Sequence, residues 1–237
     1  MKLSATPVVA ITMVLAAVTA VSPQTQPAPA SGSDVYHVHF TKAVPGQAAA
    51  LGKALMQPDT TSPMPDHFVV LRHQEGDDWD YAVIQHLGSK ATVAGGPAAP
   101  NPARDLRAWH SDTFVSGPSW AEFTRQMGIG GSGSASAVYT LGVHRSVPGH
   151  RDQLEKALNQ PASTTSKIQT GNVFLQHVEG SDWTFMTITR HNSWQDFAAD
   201  RVEAAAAASS TPGGWSDIRQ HSAFHRDTIA DRIFPAK

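Results

Sequence analysis

The chain writes one segment twice, and that duplication limits its possible folds more than any other property. Residues 35–58 align without a gap onto residues 138–161 at a constant offset of 103, with 11 of 24 positions identical, among them Tyr36, Pro45, Gly46, Leu51 and Leu55. Unrelated segments of that length would share roughly two. A second block follows, in which LRHQEGDDWDY (71–81) matches LQHVEGSDWTF (175–185) with the offset moved by one residue. Farther on, His110-Ser111 faces His221-Ser222. Between the copies lies GIGGSGSASA (128–137), which reads as a tether. It is a poor phosphate loop, because no Lys-Ser/Thr follows it and no strand precedes it.

Both copies carry the same punctuation. Residues 35–43 alternate, with Tyr36, Val38 and Phe40 on one face and Val35, His37, His39 and Thr41 on the other, which is the period of a strand. Pro45-Gly46 and Pro148-Gly149 then turn the chain. Leu51/Leu55 and Leu154/Leu158 recur at helical spacing before Pro58 and Pro161, and proline ends a helix. Residues 67–75 and 79–86 are β-rich runs around Gly76-Asp77-Asp78, and 173–179 and 183–190 repeat them around Gly180-Ser181-Asp182, so each copy holds a hairpin. Asn192 or Ser193 can cap a helix bearing Trp194 and Phe197, with a faint echo after Ser89. Low-complexity stretches beginning at residues 94 and 204 read as loops or frayed helix ends. The last strand of each copy is expected near 113–116 and 228–234, although Ile229 and Ile233 suit a helix equally well.

Strand, helix, hairpin, helix, strand is the βαββαβ ferredoxin-like order of an α+β fold, whose antiparallel sheet has helices on one face and needs a cover on the other. With VYHVHFTKAVPG, VYTLGVHRSVPG and the two HxEGxDW hairpins, the chain resembles the dimeric α/β-barrel superfamily over residues 35–126 and 138–237. The resemblance implies two tandem ferredoxin-like repeats pairing their sheets into one intramolecular barrel. Relatives in that superfamily include cofactor-free monooxygenases of the antibiotic-biosynthesis type, haem-using enzymes and muconolactone isomerase-like proteins, so the resemblance alone selects no reaction.

Residues 1–20 read as an export signal: one early lysine, Lys2, an uncharged apolar stretch from Val8, and the small-residue site Val18-Thr19-Ala20. The stretch is too short to span a bilayer, and no basic flank follows it. Residues 21–34 then form a flexible leader, 35–127 the first repeat, 128–137 the linker and 138–237 the second repeat. Export without a single cysteine fits the periplasm or surroundings of a bacterial cell, since small secreted eukaryotic domains usually depend on disulfides. No stable membrane span is expected after signal removal. With 18 basic against 20 acidic residues, nucleic acid is not an expected partner.

Without cysteine, the reactive side chains are His, Asp and Glu, and histidine numbers 12. His37 and His39 share one strand face about 7 Å apart at Cα. They are close enough to invite a ligand or, if His110 or His144 converges on them, a metal ion. The second copy has Thr140 and Gly142 there and keeps only His144 farther along, so any His site is asymmetric, and no metal is assigned. If the barrel forms, this polar face is expected to look into the lumen. His73-x-Glu75 and His177-x-Glu179 pair a base with a carboxylate, or else serve the hairpin turn beside Trp79 and Trp183; alternatively His73 lies beneath the helices as a core imidazole. His110 and His221 are expected at equivalent ends of the barrel, lining a shared mouth or fastening the halves. Candidate catalytic residues are therefore His37, His39 and His110, and candidate ligand contacts Tyr36, His73, His144, His177 and His221.

No G-x-S-x-G elbow, HExxH, Walker or dinucleotide signature occurs, which argues against serine hydrolase, zinc protease and nucleotide enzyme. What remains is a small-molecule enzyme of monooxygenase or isomerase type using histidine for proton transfer. Competing with it are an envelope protein that binds a hydrophobic ligand or haem, and a duplication that serves only to close a barrel. The partner is a small hydrophobic or aromatic molecule, the cofactor is unspecified, and halves that swap between chains would give a homo-oligomer.

Overall fold

The computed structural model describes residues 34–89, 103–130, 135–160, 168–207 and 214–235. The expected export signal and nearly all of the leader, the centre of the tether, the helical echo after Ser89 and most of both low-complexity stretches lie outside the described residues. Eight strands and five helices are described: β1 (Asp34–Ala43), α1 (Ala48–Leu55), β2 (Phe68–Glu75), β3 (Tyr81–Gly88), β4 (Arg107–Gly117), α2 (Trp120–Met127), β5 (Val138–Ser146), α3 (Arg151–Leu158), β6 (Gln169–Glu179), β7 (Phe185–His191), α4 (Trp194–Ala207), α5 (Trp215–His221) and β8 (Ser222–Phe234). The strands close into one antiparallel barrel in the order β1-β3-β2-β8-β5-β7-β6-β4. The order β4-β1-β3-β2 of the N-terminal half thus recurs as β8-β5-β7-β6 in the C-terminal half. Among the described residues no helix is long and apolar enough to cross a membrane.

Alternation along the strands decides what lies inside. Every strand contributes to one buried cluster that includes Tyr36, Val38 and Phe40 from β1, Leu71, Ile84, Val115, Tyr139, Leu141, Leu175, Met186 and Ala230. Closed strands can share a cluster of this kind only in the lumen, which is therefore a packed apolar core. The residues between them point outward, where α1 lays Leu51 and Leu55 over Ala43, Phe68, Val70 and Tyr81. On the C-terminal half, Leu154 and Leu158 of α3 cover Phe185. Ser193 caps α4 by accepting the amide of Asp196, and that helix runs through the first alanines of its low-complexity stretch.

Helix α2 stands between the halves and closes one end of the barrel. Ser119 accepts the Glu122 amide at its start, and Gly128, at φ +66°, ends it in the left-handed conformation, both ordinary helix punctuation. Phe123 and Met127 enter the lumen core, and the Phe123 ring stacks on Tyr36 at 5.0 Å. The two repeated tyrosines fasten the helix: Tyr36 donates to the carbonyl of Pro118 and Tyr139 to that of Met127.

The halves meet along two seams, β2 with β8 and β4 with β6, and the HxEG segments lie in both. At the end of each segment a glycine at φ +118° (Gly76) or +119° (Gly180) presses against the opposite half. A Cβ there would come within 2.5 Å of the Asp227 carbonyl oxygen or 2.4 Å of the Asp112 carbonyl oxygen. Only glycine meets both demands, left-handed backbone and close approach. His73 and His177 share the inward face with Leu71 and Leu175 and meet the edges of Trp79 and Trp183, at 5.4 and 5.7 Å. His73 therefore sits in the lumen rather than beneath the helices.

Candidate functional site

The His37/His39 face of β1 does not look into the lumen. Tyr36, Val38 and Phe40 take the inside because burying three large apolar side chains outweighs burying three polar ones; the imidazoles are left on the outer face. Tyr36 is correspondingly wholly buried, and burial raises its phenol pKa far above the usual range, which makes it part of the core and its helix plug.

On that outer face the pairing of β1 with β4 builds a compact array. His39 lies opposite Asp112, Thr41 opposite His110 and His37 opposite Phe114, so alternate residues of two strands converge. Asp112 collects three imidazoles. His37 Nε2 lies 2.8 Å and His39 Nδ1 2.7 Å from its Oδ1, and His110 Nδ1 lies 2.6 Å from its Oδ2. Burial works against the Asp112 charge, yet the hydrogen bonds from His37 and His39 outweigh it and hold its carboxyl far below the usual carboxylate range. Burial lowers the pKa of His39 despite the Asp112 contact, so this imidazole is neutral at pH 7. A neutral ring that donates through Nδ1 keeps Nε2 as an acceptor, and His39 Nε2 is buried with no hydrogen-bond partner among the described residues. His110 is different: half of its side chain is exposed, so its Nε2 can meet a molecule arriving from solvent. The ring of Phe114, 5.3 Å from that of His37, adds an aromatic wall.

The same register in the C-terminal half holds a poorer version. His144 lies opposite His225, and Gly142 opposite Asp227. His225 Nε2 is 3.0 Å from Asp227 Oδ1, and the rings of His144 and His225 stack at 4.6 Å, 16° from parallel. Gly142 leaves the space that the carboxylate uses, since a Cβ there would sit 2.9 Å from Asp227 Oδ1. Burial, with the neighbouring His225, pushes the His144 imidazole down to about 4.

These registers correct the expected pairing of His110 with His221. The structural counterpart of His110 is His225, and the missed signal is the repeated H-x-D-T of His110-Ser111-Asp112-Thr113 and His225-Arg226-Asp227-Thr228, 115 residues apart. His221 ends α5 instead, 2.9 Å from His150 between their Nδ1 atoms, and holds α5 to the start of α3. The structure brings His37, His39 and His110 together, sets His144 in the second array, and leaves Tyr36 in the lumen core, with His73 and His177 half-buried on the inward face against Trp79 and Trp183. Asp112, the residue that organises the site, is absent from the set expected on sequence.

No protein-family model matches the chain, and no curated protein matches its sequence. Its fold is shared with solved structures: a "putative monooxygenase" from Lactobacillus acidophilus NCFM (TM-score 0.52, 8% identity, covering 84% of this chain and 94% of that one) and an anthrone oxidase-like protein (0.52, 11%, 85% and 92%). A second protein so described, from Fusobacterium nucleatum, aligns with a TM-score of 0.51 at 6% identity over 86% of this chain and 94% of that one. The likeness is one of fold: a mixed α+β barrel of the kind found in monooxygenase-like proteins.

Proposed function

We propose that this protein is an exported small-molecule enzyme of oxygenase type in which His110, held by Asp112, takes a proton from an aromatic substrate. The observation that carries the reading is the Asp112–His110 contact of 2.6 Å to Nδ1 on a half-exposed ring. A carboxylate there fixes the tautomer, so the outer Nε2 is the basic atom, and it stabilises the imidazolium that forms. Proton loss from an activated CH₂ beside an aromatic ring leaves a carbanion, which passes electrons to O₂. The net reaction converts CH₂ to C=O, with the second oxygen atom leaving as water. The description of one fold neighbour as anthrone oxidase-like agrees with that substrate class, and Phe114 supplies a stacking surface.

In this reading the halves are two ferredoxin-like units made by duplication, as the recurring strand order suggests, and residues 1–20 direct the chain to the bacterial envelope. The test is oxygen uptake by the purified mature chain with anthrone-like and phenolic substrates, without added flavin or metal. Turnover that is lost in His110→Ala and Asp112→Asn supports the proposal. No uptake with any such substrate, or uptake indifferent to both substitutions, overturns it; a Soret band in the purified protein would point to haem binding instead.

A further inference from the structure

From the convergence of His37 Nε2, His39 Nδ1 and Asp112 Oδ1 on one point of the β1–β4 face, we propose that this face binds a first-row divalent transition-metal ion. The three donor atoms all lie within 4.8 Å of one another, and Asp112 Oδ1 is 2.8 and 2.7 Å from the two nitrogens. Donors around such an ion, each about 2.1 Å from it, stand about 3.3 Å apart. The two nitrogen–oxygen separations therefore open by about half an ångström to admit the ion. Two imidazoles and a carboxylate are a donor set for zinc, iron, cobalt or nickel rather than magnesium or calcium.

The array is preorganised in three further respects. His37 and His39 alternate along one strand and Asp112 projects from the next, so the sheet itself holds the donors at fixed spacing. His39 is almost completely buried while His37 and Asp112 are 26% and 39% exposed, which leaves one side open for entry and for further ligands. Asp112 keeps its other oxygen, Oδ2, on His110, an outer hydrogen bond of the kind that orients a ligating carboxylate. In the C-terminal half, His144, His225 and Asp227 also cluster, but the two rings there stack nearly parallel at 4.6 Å, so that array serves as the control.

The inference does not depend on the proposed oxygenation, and its test is a binding measurement. Chelator-treated full-length mature protein is titrated with Zn²⁺ by calorimetry and with Co²⁺ by visible absorption. The expected result is one tight ion per chain with nitrogen-ligated Co²⁺ bands, affinity lowered at least about tenfold by His37→Ala and more by Asp112→Asn, and little changed by His225→Ala. His37 is partly exposed, so its replacement opens no core. Should Asp112→Asn not fold, His37→Ala decides the matter alone. Absence of saturable binding, binding that survives His37→Ala undiminished, or binding lost equally in His225→Ala overturns the proposal. Oxygen uptake by the metal-free protein tests the proposed reaction separately.

Discussion

The outer faces of the two halves use one frame for different ends. In both, the last strand carries H-x-D-T, and its carboxylate stands across from the middle of the first strand, at His39 in one half and Gly142 in the other. On β1, His37 and His39 turn that carboxylate into the hub of three imidazoles. On β5, Thr140 and Gly142 remove two donors, and His144, at the position of Thr41, stacks on His225. The comparison teaches that strand pairing supplies the geometry, while two or three side chains on the first strand decide whether it gathers three imidazoles on one carboxylate or a stacked ring pair.

The sharpest way to break this contrast is to neutralise each hub. Asp112→Asn should lower turnover by about a hundredfold or more, while Asp227→Asn leaves it within about twofold; equal losses in steady-state assays would erase the distinction. Acid stability probes the other side. Unfolded His144 takes up its proton near the ordinary histidine value, whereas the native ring does so only at about 4. Unfolding therefore binds a proton in that window, and stability falls as the pH drops through it, by about 3 kcal/mol in all. Denaturant midpoints from neutral pH to about 4 should show this slope, and His144→Asn should flatten it.

The hairpins offer a prediction of likeness rather than difference. Gly76→Ala and Gly180→Ala should each cost about 2–3 kcal/mol, because each places a side chain on left-handed backbone against a carbonyl oxygen. A large cost in only one half would mean that the seams are not equivalent. Gly142→Ala should cost about 1 kcal/mol or less, since the groups a methyl would meet are the side-chain ends of Asp227, Thr187 and His144. Smallest of all, loss of the exposed Arg226–Asp77 pair in Arg226→Ala should change stability by under about 1 kcal/mol.

Much of the barrel is readable in the sequence because matching segments and period-two alternation are local signals. The β1, α1 and hairpin boundaries follow from Pro45-Gly46, Leu51/Leu55 and Gly76, and their repeats confirm the spacing. Which face of β1 turns inward is not local, because Tyr36, Val38 and Phe40 compete with His37 and His39 only once the opposite half supplies Leu141 and Leu175. Helix α2 escapes a reading by repeats although Ser119-x-x-Glu122 and Phe123/Met127 are a capping pair and an i, i+4 pair; its burial depends on both halves. The site itself is half visible. His37, His39 and His110 stand out by residue type, but Asp112 is hidden as long as His110 is matched to His221, four residues from its partner in the strand register.

The reciprocal seating of Gly76 and Gly180 also bears on the chain's indivisibility. Severed from its companion, either half would present β2 and β4, or β6 and β8, as bare margins with unspent amides and carbonyls, an open invitation to stick to the next copy. Tying the two through α2 keeps each margin's proper mate at an effective concentration that no free fragment reaches in dilute solution. Covalent continuity thereby keeps each seam from closing on the wrong neighbour.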